Sequence, residues 1–120
     1  MSIFETSAGK LIGPTTGGTV TQATSKSTGV TLNKASGQIT MDDAALAAAA
    51  EVSFTVTNSE IAATDVVIVN HASGGTAGSY LVQANTIAAG SFAITVANLS
   101  AGSLGEAIVL NFVAFKGSSS

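Results

Sequence analysis

Hydrophobic and polar residues alternate along most of this chain, in short segments set apart by glycine, serine and asparagine. Residues 52–57 are the cleanest case, with Val52, Phe54 and Val56 on one face and Ser53, Thr55 and Thr57 on the other. A period of two belongs to half-buried β-strands. It also predicts strands over residues 19–24, 29–32, 38–41, 80–83, 92–96 and 107–115. Residues 65–70 differ, because Val66-Val67-Ile68-Val69 is an unbroken apolar run. Such a run suits a strand covered on both faces, by a second sheet on one side and another subunit on the other. The expected fold is therefore all-β: a single β-sandwich, jelly-roll-like, of about eight short antiparallel strands.

Residues 42–51 are the one helix candidate. Alanine is the best helix former, and Asp42 and Asp43 suit the positive end of a helix. Leu46 is the only large apolar residue within it, so a connection holding at most one or two helical turns is expected. Residues 1–18 read as an extended N-terminal arm, broken by Gly9, Gly13, Pro14, Gly17 and Gly18. Two apolar pairs, Ile3-Phe4 and Leu11-Ile12, are candidate anchors for a partner, against a loosely packed terminus. The sandwich domain is expected over residues 19–117, and residues 118–120 as a flexible tail.

One pattern recurs. Val52-x-Phe54-Thr55-Val56-x-Asn58 is echoed by Phe92-x-Ile94-Thr95-Val96-x-Asn98. Either this is chance likeness among strands, or the two are equivalent strands in the two halves of a sandwich. Asparagine suits the strand end because it caps its own turn.

Composition narrows the function. A chain of 120 residues is one domain on length. It has no cysteine, hence no disulfide and no thiolate metal site. Its four basic residues are scattered lysines, and its net charge is −3. That argues against nucleic acid, which needs clustered cations. Charged residues are 9% of the chain, against about 25% in an ordinary domain. So sparse a charge fits a surface covered by neighbouring subunits, or one solvated by hydroxyls and amides; the first is favoured. No apolar run reaches the ~18 residues of a membrane helix. The start, Met1-Ser2-Ile3-Phe4-Glu5, lacks the basic-then-apolar pattern of a signal peptide, so a cytoplasmic origin is expected.

Candidate chemistry is thin. His71 is the only histidine, and Ser73 and Asp65 are its nearest triad partners in sequence. Proximity in sequence is no evidence of a triad, which is defined by geometry. Gly74-Gly75-Thr76-Ala77-Gly78 lacks the lysine of a P-loop and reads as a hairpin loop. Asp42-Asp43 falls short of the spaced oxygen ligands of a calcium site. Tyr80 is the only tyrosine and there is no tryptophan, which weakens a lectin reading. No enzyme, cofactor or small-molecule substrate is expected.

The stretch from Gly17-Gly18-Thr19-Val20-Thr21-Gln22 through Gly29-Val30-Thr31-Leu32-Asn33-Lys34, with Ser36-Gly37-Gln38-Ile39-Thr40-Met41, resembles a small β-sandwich virion module of tailed double-stranded-DNA bacteriophages. So do residues 52–58, residues 65–75 and the ending Ile108-Val109-Leu110-Asn111-Phe112. The resemblance covers residues 17–117. It implies a homotrimer on the virion exterior, made in the host cytoplasm. It also implies a capsid decoration or cement protein that binds the major capsid protein lattice, because the long repetitive stalk of a fibre is missing. Ile3, Phe4, Leu11 and Ile12 are then the expected capsid contacts. The alternative is a receptor-binding knob of a fibre or spike, meeting a bacterial surface glycan through the loop flanked by His71 and Tyr80.

Overall fold

A computed structural model describes residues 17–117. The expected arm anchors Ile3, Phe4, Leu11 and Ile12, and the tail 118–120, lie outside these residues. The described chain is all-β, with eight strands: β1 (Gly18–Thr21), β2 (Val30–Thr31), β3 (Ser36–Thr40), β4 (Glu51–Thr57), β5 (Val66–Ser73), β6 (Tyr80–Ala88), β7 (Ser91–Asn98) and β8 (Val109–Phe115). They form two four-stranded sheets, β1-β3-β8-β5 and β2-β4-β7-β6. Packed face to face, the sheets make a β-sandwich, as the alternating pattern predicts.

The pairing from β3 to β8 is nested. β3 pairs with β8 and β4 with β7, while β5 and β6 run side by side where the two sheets meet. Rolling one long antiparallel ribbon into two sheets gives this order, which is the jelly-roll plan. Two pairings depart from the all-antiparallel expectation. β1 lies parallel to β3, and β2 parallel to β4. Each adds an edge strand to the ribbon, and β1 approaches so closely that a Cβ on Gly37 would sit 2.8 Å from the Gly18 carbonyl oxygen.

The core lies between the sheets. Ile39, Ile94, Val96, Ile108 and Leu110 are fully enclosed, and the Phe92 and Phe112 rings meet at 5.4 Å across the two sheets. Each such side chain contributes about 1.5–3 kcal/mol by leaving water.

Residues 42–50 contain no helix. Leu46 instead forms an antiparallel bridge with Leu104, and a turn closes from Ala50 N–H to the Ala47 carbonyl. Burying Leu46 against the sandwich outweighs alanine's helix propensity, which is a weak preference without an apolar stripe to support it. The echoed strands also sit differently from the second of the two readings, that of equivalent strands in two halves. β4 and β7 are not in separate halves: they are antiparallel neighbours in one sheet, pairing Val52 with Val96, Phe54 with Ile94 and Val56 with Phe92. The matching residues are related by a local two-fold between these adjacent strands.

Candidate functional site

The glycine-rich β5–β6 connection closes one end of the sandwich and brings His71 and Tyr80 together. Their rings meet edge to face, with centroids 5.4 Å apart. Positive φ at Gly74, Gly75 and Gly78 lets the loop fold back tightly. The pairing of β5 with β8 shifts register between His71 and Ser73, just before it. The His71 Nε2 lies 2.6 Å from the Gly74 carbonyl oxygen and 3.1 Å from that of Ser73. Both neighbours are acceptors, which assigns the ring proton to Nε2. His71, Ser73, Gly75, Ala77 and Tyr80 border an open concavity of about 280 Å³.

Glu106, from the approach to β8, fastens this loop. Its Oε1 accepts from the Thr76 N–H at 2.9 Å and the Tyr80 hydroxyl at 2.7 Å, and its Oε2 accepts from the Thr76 hydroxyl at 2.8 Å. The Tyr80 and Thr76 hydrogen bonds hold the Glu106 carboxyl below its ordinary 4.5, against desolvation. Burial, then the Glu106 carboxylate, push the Tyr80 hydroxyl up. Nothing in the local sequence marked Glu106, because its partners lie far along the chain.

The triad partners of His71 do not assemble. Asp65 stands at the other end of β5, where it accepts from Lys116 Nζ at 3.0 Å and from the Ala62 N–H at 2.9 Å. Asp42 Oδ1 accepts from the Ala44 N–H, as in an ordinary turn. Among the described residues, no cluster of three or more histidine or acidic side chains is placed to hold a metal. No helix there is long and apolar enough to cross a membrane.

A second buried network went unnoticed in the sequence. Lys26 is enclosed, and its ammonium donates to the carbonyls of Asp42 and Glu106. Gln22 Nε2 donates to the carbonyls of Lys26 and Thr28, while its Oε1 accepts from the Asp42 N–H. Burial pushes the lysine below its usual 10.5, although Asp42, Asp43 and Glu106 oppose the shift. These groups tie the 22–28 loop to the two chain segments beneath it.

The sandwich also leaves apolar side chains in water. On β5, Val67 and Val69 pack against the core, whereas Val66 and Ile68 point outward and are 55% and 53% exposed. Register places Val66 opposite Phe115 and Ile68 opposite Val113, so the four make one patch on the outer face of the β1-β3-β8-β5 sheet. The expected cover on the second face of this strand is not supplied by the described chain. On the opposite side of the sandwich, Leu81 and Leu99 are 57% and 61% exposed. The Leu99 N–H bonds to the Ser79 carbonyl, which carries Leu99 alongside the start of β6.

Comparison with family models, with curated proteins and with solved structures finds no match to this chain.

Proposed function

We propose that this protein is a structural component that works by surface contact, as a capsid decoration protein of a tailed bacteriophage. The observation that supports it best is the pair of uncovered apolar patches on opposite faces of one sandwich, Val66–Ile68 and Leu81–Leu99. A protein that cements a lattice needs at least two contact surfaces, one for its own copies and one for the shell. Sparse charge leaves both surfaces free of the desolvation that charged interfaces incur. In this reading the protein is a homotrimer on the outside of the head, it binds the major capsid protein, and Ile3, Phe4, Leu11 and Ile12 add anchoring contacts. Those last points follow the resemblance of residues 17–117 to virion modules.

The test is binding of the purified full chain to phage heads stripped of their decoration, followed by cryo-EM. Ordered density at fixed lattice positions, lost on deleting residues 1–16, supports the assignment. Absence of binding to heads overturns it.

The receptor-binding alternative draws on one observation, the His71–Tyr80 concavity at the tip of the sandwich. Binding of the chain to host cells but not to heads, abolished by Tyr80→Ala, is the result that favours it.

A further inference from the structure

We propose that the outer face of the β1-β3-β8-β5 sheet is where copies of this chain meet, with Val66, Ile68, Val113 and Phe115 at the centre of the contact. The inference deepens the reading of the protein as one that acts through surface contact, but it does not need the capsid assignment.

Strand alternation and register define the face. β1 presents Thr19 and Thr21, and β3 presents Ser36, Gln38 and Thr40. β8 presents Val109, Asn111, Val113 and Phe115, and β5 presents Val66, Ile68 and Asn70. None of these side chains is charged. The nearest ion pair, Asp65 with Lys116, sits one residue beyond Val66 and Phe115 and so borders the apolar patch at its end. An apolar centre without charge, edged by polar and ionic groups, is the anatomy of a protein interface.

Two features point to a second copy as the occupant. A face that meets its own copy brings like against like, so any concentrated charge repels; this face has none. Its polar groups are hydroxyls and amides, which both donate and accept and can therefore pair with an identical surface. Register lines up Thr19, Gln38, Asn111 and Asn70 as one polar row across all four strands. Within that row the Asn111 Oδ1 is buried and has no hydrogen-bond partner among the described residues. A buried acceptor without a donor is costly, and Asn111 carries that cost within this face.

The chain's lack of cysteine allows a direct test on the full-length protein. Ile68→Cys places a thiol in the patch, and Thr55→Cys places one on the exposed face of the other sheet. Maleimide labelling of each is followed as a function of protein concentration, beside sedimentation velocity. At concentrations where the protein sediments as an assembly, position 68 is expected to label about tenfold more slowly than position 55, as a buried interface centre should. On dilution to the monomer the two rates should converge. As a second probe, Val66→Asp and Ile68→Asp should each shift sedimentation to the monomer, while Thr55→Asp leaves the assembly unchanged. Protection of position 68 at every concentration would assign the cover to the chain's own residues 1–16 and overturn the proposal. Equal labelling at every concentration, or assemblies indifferent to both aspartates, overturns it too. A protein that passes these tests yet fails to bind heads keeps this interface and loses the capsid function.

Discussion

Asn58 and Asn98 occupy equivalent places about the local two-fold that relates β4 to β7. Both are fully buried. Each donates its backbone N–H to the residue just before the partner strand, Asn58 to the Gly90 carbonyl and Asn98 to the Ala50 carbonyl, both at 2.9 Å. Each Oδ1 accepts from the backbone N–H two residues on, that of Glu60 at 3.0 Å and that of Ser100 at 2.8 Å. Asn98 Oδ1 also accepts from the Ser100 hydroxyl at 2.7 Å, and the donor sides differ as well. Asn58 Nδ2 bonds one carbonyl, Lys34, whereas Asn98 Nδ2 bonds two, Leu46 and Gly102. Alanine leaves these buried groups unpaired, so Asn98→Ala should cost about 2–4 kcal/mol and Asn58→Ala less. Urea unfolding of the two variants checks the order.

Asp65 gives the fold an acid-sensitive point. Burial pushes its carboxyl up, but hydrogen bonds from the Ala62 N–H, Lys116 and the Gly117 N–H outweigh this and hold it below the usual 3.8. The unfolded chain therefore takes up the proton first as pH falls. The stability Asp65 contributes is present above about pH 4 and is lost as pH drops through the lower folded value. Asp65→Asn should be less stable at neutral pH and show a flatter stability profile below pH 4. Thermal unfolding across pH 2–7 reads both effects.

These two sites show what was legible in the chain and what was not. Period-two alternation placed seven of the eight strands, because burial of one sheet face writes itself locally, and the unbroken apolar run of residues 66–69 placed the eighth. It also flagged Val66 and Ile68 as needing a cover, since a half-buried strand has no reason to be apolar on both faces. Strand neighbours were harder. The likeness of residues 52–58 to residues 92–98 was visible, but pairing within one sheet and packing across two sheets leave the same local signature. The parallel placement of β1 and β2 depends on contacts made far along the chain. For the same reason His71 and Tyr80 could be read from the glycine loop they flank, while Glu106, which holds that loop, could not. The alanine-rich segment 42–50 misled because propensity is weaker than the burial of one leucine.

The Tyr80–Glu106 contact should govern the order of the β5–β6 loop. Tyr80→Phe keeps the ring against His71 and removes the hydroxyl that donates to Glu106. Amides of residues 74–79 should then exchange faster, with little change in the sandwich strands. Glu106→Gln should have a milder effect, since its amide oxygen still accepts from Thr76. The contact also acts at high pH. Tyr80 is raised above its ordinary 10.0, first by burial and then by Glu106. Its contribution is complete below pH 10 and is lost as pH rises beyond it, because the unfolded tyrosine ionises first. Tyr80→Phe should abolish that part of the alkaline loss, as followed by circular dichroism.

The β6–β7 hairpin holds a strained position that can be relieved. Thr86 has φ +53°, at an irregularity in the pairing between Asn85 and Ala88. The left-handed region is a clear outlier for a β-branched residue. Its hydroxyl bond to Asn85 Oδ1, at 2.9 Å, is exposed and offsets little of that strain. In the same hairpin Gly90 has φ +86° and open space where a Cβ would stand. The two positions share a left-handed backbone and differ in that one carries a β-branched side chain and the other none. Thr86→Gly should release about 1–2 kcal/mol of strain, reduced by about 0.5–1 kcal/mol for the added freedom of glycine in the unfolded chain. A net gain of about 1 kcal/mol is expected. Gly90→Ala should do the reverse and cost about 1 kcal/mol from backbone conformation alone. Denaturant midpoints moving in opposite directions, with unchanged slopes, would establish that the hairpin's stability is set by φ at these two residues and not by lost contacts.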